Sequence, residues 1–507
     1  MSDIKNSKDM EEQNQNTKYL QNKEYVENKF KDWGDIVKRE FPVGEKREVK
    51  VYIVYIDNMV NRTMLEEEII KNLIVNVRIS NPEDNIDFSD PYELLVNGGV
   101  TTADIKQAKD IDEAVLEVMS GNTLVLIENT DKILVISSKG FPHRGVDKPE
   151  TEIAVQGPQE AFSESIRTNT VLIRRRIRST DLKCVQKKIG RISQTDVAVM
   201  YMENIADKRL VKKVEDMLEN IDVDMIYDSG FLEQYLEENE YSPFPQMQLT
   251  ERPDKAAAEL VEGRIAVVVD TSPFVILLPT VLASFYQASE DYYQRWEIMT
   301  FIRIIRYIAG FMAFALPGLY IATTLYNPSM LPTELVLTMA QARQNVPLPT
   351  VVEIVILELI FEALREAGIR VPSSIGSTLG IVGGIIIGQA AVEANLVSPM
   401  AVIIISITAI CSFSIPNIAL TSAYRLIKYF VIFMSAAAGL FGFVSALILV
   451  LLHMVSLKSF GVCYVAPFSG VNEGRYDKLK DTVFRFPYKH RKEYHFYKKL
   501  EEDTDEQ

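Results

Sequence analysis

Hydrophobic positions change rhythm twice along this chain. Residues 1–32 are mostly polar and contain no apolar stretch long enough for a secretory signal, so they read as a disordered tail or loose helix in the cytoplasm. From Trp33 onward, short apolar runs alternate with helical patterns. EVKVYIVYI (48–56) is rich in β-branched and aromatic residues and predicts a buried strand. Over 63–77, Leu65, Ile69, Ile70, Leu73, Ile74 and Val77 recur at helical spacing, with Glu66, Glu67 and Glu68 where the helix dipole favours them. A helix follows at 110–119, then two strands around an Asn-Thr-Asp turn in TLVLIENTDKILVIS (123–137). The next stretch predicts a helix over 158–178, strands at 182–189 and 196–202, a helix at 207–220 and a strand at 223–227. A helix at 254–262 and a strand at 264–270 complete it. The alternation implies two α/β subdomains, 33–150 and 151–270, and a fragment 33–270 that folds alone.

After Asp270 the rhythm is lost in long apolar runs. Segments 301–325, 378–397, 400–422 and 430–455 each approach the ~20 apolar residues a bilayer span needs. SPFVILLPTVLASF (272–285) is short and holds two prolines, which fits a re-entrant or interfacial segment. VVEIVILELIFEAL (351–364) carries three glutamates and is open between a span, an interfacial helix and a pore helix. The fold class is thus two cytosolic α/β subdomains followed by an all-α polytopic membrane domain, 271–457, with a tail, 458–507. Arg475–Lys499 holds nine Lys/Arg against three Asp/Glu, which places that tail in the cytoplasm. With both ends inside, the span count is even. Four spans then put Arg425 and Lys428 outside, against the same rule.

Composition sharpens the division. The 507 residues carry a net charge of −15, yet from Thr378 to Leu457 the only formally charged side chains are Glu393, Arg425 and Lys428. The acidic balance argues against a nucleic-acid partner. Three scattered cysteines make neither a disulfide framework nor a zinc pattern, and phosphate-loop, dinucleotide, zinc-protease and nucleophile-elbow motifs are missing. Neither an enzyme, a metal nor a cofactor is expected.

Two constellations in the apolar half invite a functional reading. Gly376, Gly380, Gly384 and Gly388 recur every fourth residue and draw a side-chain-free stripe on a helix. The stripe suits a tight helix seam, or a face against a pore or a moving neighbour. Glu358, Glu362 and Glu366 line one helix face near Arg365 and Arg370, as a cation-attracting vestibule or as ion pairs to neighbouring arginines. Glu393 is the lone acid of its segment and fits either an ion path or the membrane interface. The run Arg174, Arg175, Arg176 and Arg178 fits a phosphate or anionic-lipid patch less well than a solvated or interdomain salt-bridged face.

Several phrases carry a resemblance: GPQEAFSESIRTNTVLIRRRI, DTSPFVILLPT, SEDYYQRW, FEALREAGIRVPSSIGSTLGIVGGIIIGQAAVEANLVSP, SFSIPN and SFGVCYVAPF. Over roughly Trp33–Phe468 the chain resembles the A subunits of GerA-type spore germinant receptors, departing locally at Cys463, where the family commonly has proline. The resemblance implies a protein of the spore inner membrane that works with a permease-like, nutrient-binding B subunit and a lipoprotein C subunit. It also implies self-association, contact with membrane lipid, and a gated path for monovalent cations. A paralogous sporulation-stage V protein shares the pattern. A secondary transporter is the rival class, but it calls for paired broken helices, and one Gly-broken stretch stands here without a counterpart.

The stripe is open to test. Gly384→Leu places bulk where a neighbouring backbone is expected, so spores carrying it should lose receptor assembly or germination. Normal assembly and germination would remove the close-packing idea.

Overall fold

A computed structural model describes residues 2–43, 49–71, 105–140, 148–370, 388–468 and 481–487. The chain divides into two compact units. The described residues within 1–237 and 249–278 form one, and those within 238–248 and 279–487 the other.

The first unit holds two five-stranded sheets. In one, β1 (Ile36–Val43), β2 (Val49–Ile56), β3 (Ile105–Ala108), β4 (Thr123–Ile127) and β5 (Ile133–Ile136) lie in the order β1-β2-β4-β5-β3, with antiparallel ladders throughout. The unbroken apolar run in β2 reflects burial on both faces. Tyr52, Val54 and Ile56 face one core, while Val51 and Ile53 face another. Helix α1 (Ser2–Lys29) and helix α2 (Ile111–Met119) cover the first of these. Asp110 caps α2 by accepting from the backbone N–H of Glu113 at 2.7 Å.

Helix α1 corrects the expectation of a disordered tail. Tyr19, Val26 and Phe30 fall on one face and are buried against the sheet, so three apolar anchors order an otherwise polar segment. Strand β1 was not foreseen, because its exposed Lys38, Arg39 and Glu40 hide a strand pattern at a sheet edge. The helix expected over 63–77 begins at Arg62–Met64 and continues as a π-helix, Leu65–Ile70; its remainder beyond Lys71 lies outside the described residues.

The second sheet takes β6 (Leu182–Ile189), β7 (Thr195–Met202), β8 (Gln248–Thr250), β9 (Ile265–Val269) and β10 (Val275–Leu278), ordered β6-β7-β9-β10-β8. Helices α3 (Ile166–Arg174), α4 (Lys208–Glu219), α5 (Ser229–Leu236) and α6 (Pro253–Val261) accompany it, with α3 and α6 in its core. Helix α3 is shorter than expected because side chains fasten the chain before it: Arg252 donates to the carbonyl oxygens of Glu152 and Pro158 at 3.0 and 2.8 Å. Residues 223–227 form no strand; they run beside a turn, where Ile192 N–H donates to Asp224 O at 2.9 Å. The 272–285 expectation also changes. Val275–Leu278 pairs antiparallel with β9, so this apolar run completes a buried sheet beyond the expected boundary at 270.

The two sheets share one unit through Arg174. Its guanidinium is fully buried, donates to both carboxylate oxygens of Asp35, and lies 3.6 Å from the Trp33 ring centroid. Trp33 also bridges to Cys184 of β6, and Val171 of α3 joins the first sheet's core. Within the arginine run, Arg174 thus pairs across the sheets, and Arg178 is exposed. Arg175 and Arg176 both bond Glu160, at 3.1 and 2.7 Å. Burial raises the Glu160 carboxyl, but Arg176 and Arg175 outweigh it and hold it below its ordinary value.

The second unit is helical: α7 (Trp296–Ile321, extended as a π-helix Ala322–Tyr326), α8 (Thr333–Arg343), α9 (Thr350–Arg370), α10 (Gly388–Glu393), α11 (Pro399–Phe413) and α12 (Ile418–Ser456). Two of these, Trp296–Tyr326 and α12, are long and apolar enough to cross a membrane. Helix α12 is not one straight rod. Ala438 and Gly439 leave helical geometry, Gly439 with φ +59°, a region that favours glycine. Tyr424 and His453 are twenty-nine residues apart and would lie about 43 Å apart along a straight helix. Instead both rings flank Phe244, at 6.3 and 5.9 Å. Helix α12 thus doubles back as a hairpin with arms 418–437 and 440–456, of about 30 and 26 Å.

That fold sets directions. Call the Phe244 end the base and the Gly439 end the tip. Gly310 of α7 lies against Tyr286 at the base, Gly318 against Val431 midway and Tyr326 against Gly439 at the tip, so α7 runs parallel to the first arm. Residues 457–464 return to the base, where Leu282 N–H donates to Tyr464 O at 2.7 Å. The expected spans 400–422 and 430–455 are therefore redivided, since the chain turns at 414–417 and 438–439 rather than between 422 and 430. Arg425 and Lys428 lie toward the base, the end to which residues 457–464 return. Of the expected span 378–397, residues 378–387 lie outside the described residues, and 351–364 belongs to α9.

Fragment boundaries test the first unit. A chain of residues 2–278 should unfold cooperatively in urea. A chain of 33–270 lacks Tyr19, Val26, Phe30 and all of β10, each fully or nearly fully buried. At roughly 1.5–3 kcal/mol per buried side chain, that loss rivals the roughly 5–15 kcal/mol net stability of a domain. The shorter fragment should show no cooperative transition by circular dichroism; equal midpoints would refute the assignment of α1 and β10.

Candidate functional site

Helix α9 turns a charged face toward α12. Glu358 and Glu362 are one turn apart on α9, and Arg425 and Lys428 are nearly one turn apart on the first arm of α12. Glu358 Oε2 accepts from Lys428 Nζ, and Glu362 Oε1 accepts from Arg425 Nη1 at 2.7 Å. The higher-numbered acid meets the lower-numbered base, so α9 runs antiparallel to that arm. Arg365 Nη2 also donates to Glu362 Oε1, and Arg425 Nη2 donates to Ser422 Oγ. Glu358 is 1% exposed and Lys428 6%. Charges this deep hold only when paired, because desolvation costs several kcal/mol per ion.

The pairing explains the sequence pattern from both sides. Two of the three formal charges between Thr378 and Leu457 find their partners on the acidic stripe. Among the described residues, Glu358 Oε1 and Arg425 Nε have no hydrogen-bond partner, so the pairs are close but incompletely satisfied. Glu366 is exposed on α9. Glu393 is exposed on α10 and accepts from Gln389 Nε2 at 2.9 Å. Gly376, Gly380 and Gly384 lie outside the described residues. Gly388 opens α10, where a Cβ would stand 3.8 Å from Val402 Cγ1, an ordinary contact.

Sequence reasoning missed three parts of this region. Glu353 was read within its segment but left out of the stripe, being five residues before Glu358. It is fully buried; its Oε1 accepts from Ser398 N–H, and its Oε2 lies 3.7 Å from Arg343 Nη2. Among the glycines in tight contact is Gly318, where a Cβ would come within 2.6 Å of Val431 Cγ1 and 2.9 Å of Ser435 Oγ. Its signal was the Pro317-Gly318 step rather than a repeat. Third, the SEDYYQRW segment ends in a lock at the base. Arg303 Nε donates to Asp291 Oδ2 at 2.7 Å, its Nη1 donates to Asp481 Oδ1 at 3.1 Å, and Tyr292 donates to Asp481 Oδ2 at 3.0 Å. These bonds fasten the segment 481–487 beside the start of α7.

With this geometry in place, the comparisons fix the family. The profile of the Bacillus/Clostridium GerA spore germination protein matches residues 24–495. The chain belongs to the GerA spore germination protein family. It is 38% identical over 454 residues to spore germination protein KA of Bacillus subtilis (strain 168), covering 90% of this chain and 82% of that one. It is 36% identical over 454 residues to the uncharacterized membrane protein YfkQ of the same organism, covering 90% and 86%. A crystal structure of the N-terminal domain of the A subunit of the Bacillus megaterium spore germinant receptor GerK3 is similar at 31% identity. It covers 51% of this chain and 93% of that one, with a TM-score of 0.39. The GerA family member described here spans most of the length of both curated relatives rather than one module.

A double-mutant cycle measures the pairing. Glu358→Gln leaves the Lys428 ammonium buried and unpaired, and Lys428→Met leaves the carboxylate so; each should destabilise the full chain by about 3–5 kcal/mol. The double variant should recover most of that loss in thermal unfolding in detergent. Simple additivity of the two losses would mean that the charges do not interact.

Proposed function

We propose that this GerA family member is the membrane-embedded A-type subunit of a nutrient-responsive germinant receptor, located in the spore inner membrane. It works with a permease-like, nutrient-binding B-type subunit and a lipoprotein C-type subunit. Copies of the chain associate into a gated path for monovalent cations. The observation that carries the reading is the buried ion-pair face between α9 and α12, in a chain whose family match runs nearly end to end. Large apolar side chains on the outside of the bundle, such as Phe311, Phe413, Phe433 and Phe441, support lipid contact. The entry to α7 and the segment after α12 share the base, which supports a multi-pass topology with both on the cytoplasmic side.

In this reading the resting state masks Glu358 and Glu362 with Lys428 and Arg425. Movement of α9 against α12 exposes the carboxylates to passing cations, with Glu366 and Glu393 extending the acidic path. The incompletely satisfied pair atoms suit such exchange, because less hydrogen bonding is lost when the pair opens. The test is nutrient-triggered cation flux from proteoliposomes holding all three subunit types. Flux without any counter-substrate, slowed per complex by Glu362→Gln and slowed less at high salt, is the expected result. Flux that demands a counter-substrate would instead make the assembly a transporter.

A further inference from the structure

Between α5 and β8 the chain leaves the second sheet, and residues 238–248 are built into the helical unit. The excursion has a closed neck. Gln246 Nε2 donates to Asn239 O at 2.8 Å, and Asn239 N–H donates to Gln246 Oε1 at 3.1 Å. Inside the neck, Ser242-Pro243-Phe244-Pro245 is stiffened by two fixed proline φ angles and by Phe244 N–H donating to Ser242 Oγ at 3.2 Å. The loop is therefore a short, rigid protrusion rather than a slack connection.

Its tip sits where the α12 hairpin closes. Phe244 is 1% exposed and meets three rings: Tyr424 in the first arm at 6.3 Å, His453 in the second arm at 5.9 Å, and Tyr464 just after it at 6.0 Å. Polar bonds hold the rest. Ser242 Oγ and His453 Nε2 are 2.9 Å apart, Ser459 Oγ donates to Gln246 O at 2.6 Å, and Phe460 N–H donates to Glu238 Oε2 at 2.7 Å. One side chain thus touches both arms of the hairpin at their base. Tyr424 is followed directly by Arg425, so a shift of the first arm at Phe244 also moves the partner of Glu362.

We infer that the loop 238–248 is a mechanical coupler, with Phe244 as the positioning residue that ties motion of the second sheet to the two arms of α12 and through them to the ion pairs. The link is covalent. α5 and β8 flank the loop in sequence, so displacement of either pulls a rigid protrusion seated at the hairpin base. The inference rests on the gated-path reading above and adds the element through which the nutrient signal reaches the gate.

Two measurements on the full chain test it. In spores, Phe244→Ala should lower nutrient-triggered cation release per assembled complex by roughly tenfold, and Ser242→Ala by a few-fold. A purely structural role would change the amount of complex and leave release per complex alone. In detergent, Phe244→Ala should speed amide hydrogen exchange in 420–424 and 450–456 by roughly tenfold, with the centre of each arm unchanged. Should Phe244→Ala fail to accumulate, Phe244→Leu, which keeps apolar volume without the ring contacts, is read the same way. Unchanged release per complex in both Phe244 and Ser242 variants overturns the coupler while leaving the channel reading intact. Absence of nutrient-triggered release from wild-type spores overturns the channel reading. Hydrogen exchange then decides the coupler alone, and unchanged exchange at the two arm ends refutes it.

Discussion

A charge inside an apolar bundle needs a partner, and this requirement organises the helical unit. Lys428 and Arg425 stand on a mostly apolar helix arm, where an unpaired buried ion costs several kcal/mol. Glu358 and Glu362 on α9 meet that need. The observed partners, Glu358 with Lys428 and Glu362 with Arg425, match α9 running antiparallel to the first arm of α12. The pairs impose a defined register between α9 and α12, which apolar contacts alone impose less strictly. Buried ion pairs are weak sources of net stability, but they discriminate strongly between arrangements.

The same physics recurs in the first unit with the opposite consequence. Arg174 and Asp35 form a bidentate pair under the Trp33 ring, without exposed alternatives. Planar fork geometry and ring stacking leave little freedom, so the two sheets move as one body. Cys184 lies beneath this junction, and burial pushes its thiol well above the ordinary value, which makes it an inert packing residue. One pair therefore joins the two sheets of the first unit, while the other pairs, with unsatisfied atoms beside them, join α9 to α12.

Rigid bodies need connectors. The excursion 238–248 is short, doubly proline-stiffened and closed at its neck, and it carries Phe244 among three other rings at the hairpin base. The lock of Arg303 with Asp291 and Asp481 holds the other side of the base, so the start of α7 and the returning chain are tied together.

Much of this was legible in the sequence. The runs in β2, β4, β7 and β9, the helices α2, α4 and α6, and the apolar second half follow from local periodicity and composition, which short-range physics fixes. The acidic stripe was visible as a stripe, and the arginine run as a salt-bridged face, because both are patterns of spacing. What spacing does not encode is which distant segment supplies the partner. Lys428 and Arg425 stand out in the sequence only as positive charges in an apolar run; their partners are decided by the fold, which packs the first arm of α12 beside α9. Strand β1, helix α1 and strand β10 were misread for a related reason. An edge strand carries polar residues, three anchors suffice to order a polar helix, and an apolar run of four looks the same whether lipid or a neighbouring strand covers it. Local sequence sets what each segment can bury; only the tertiary fold decides against what.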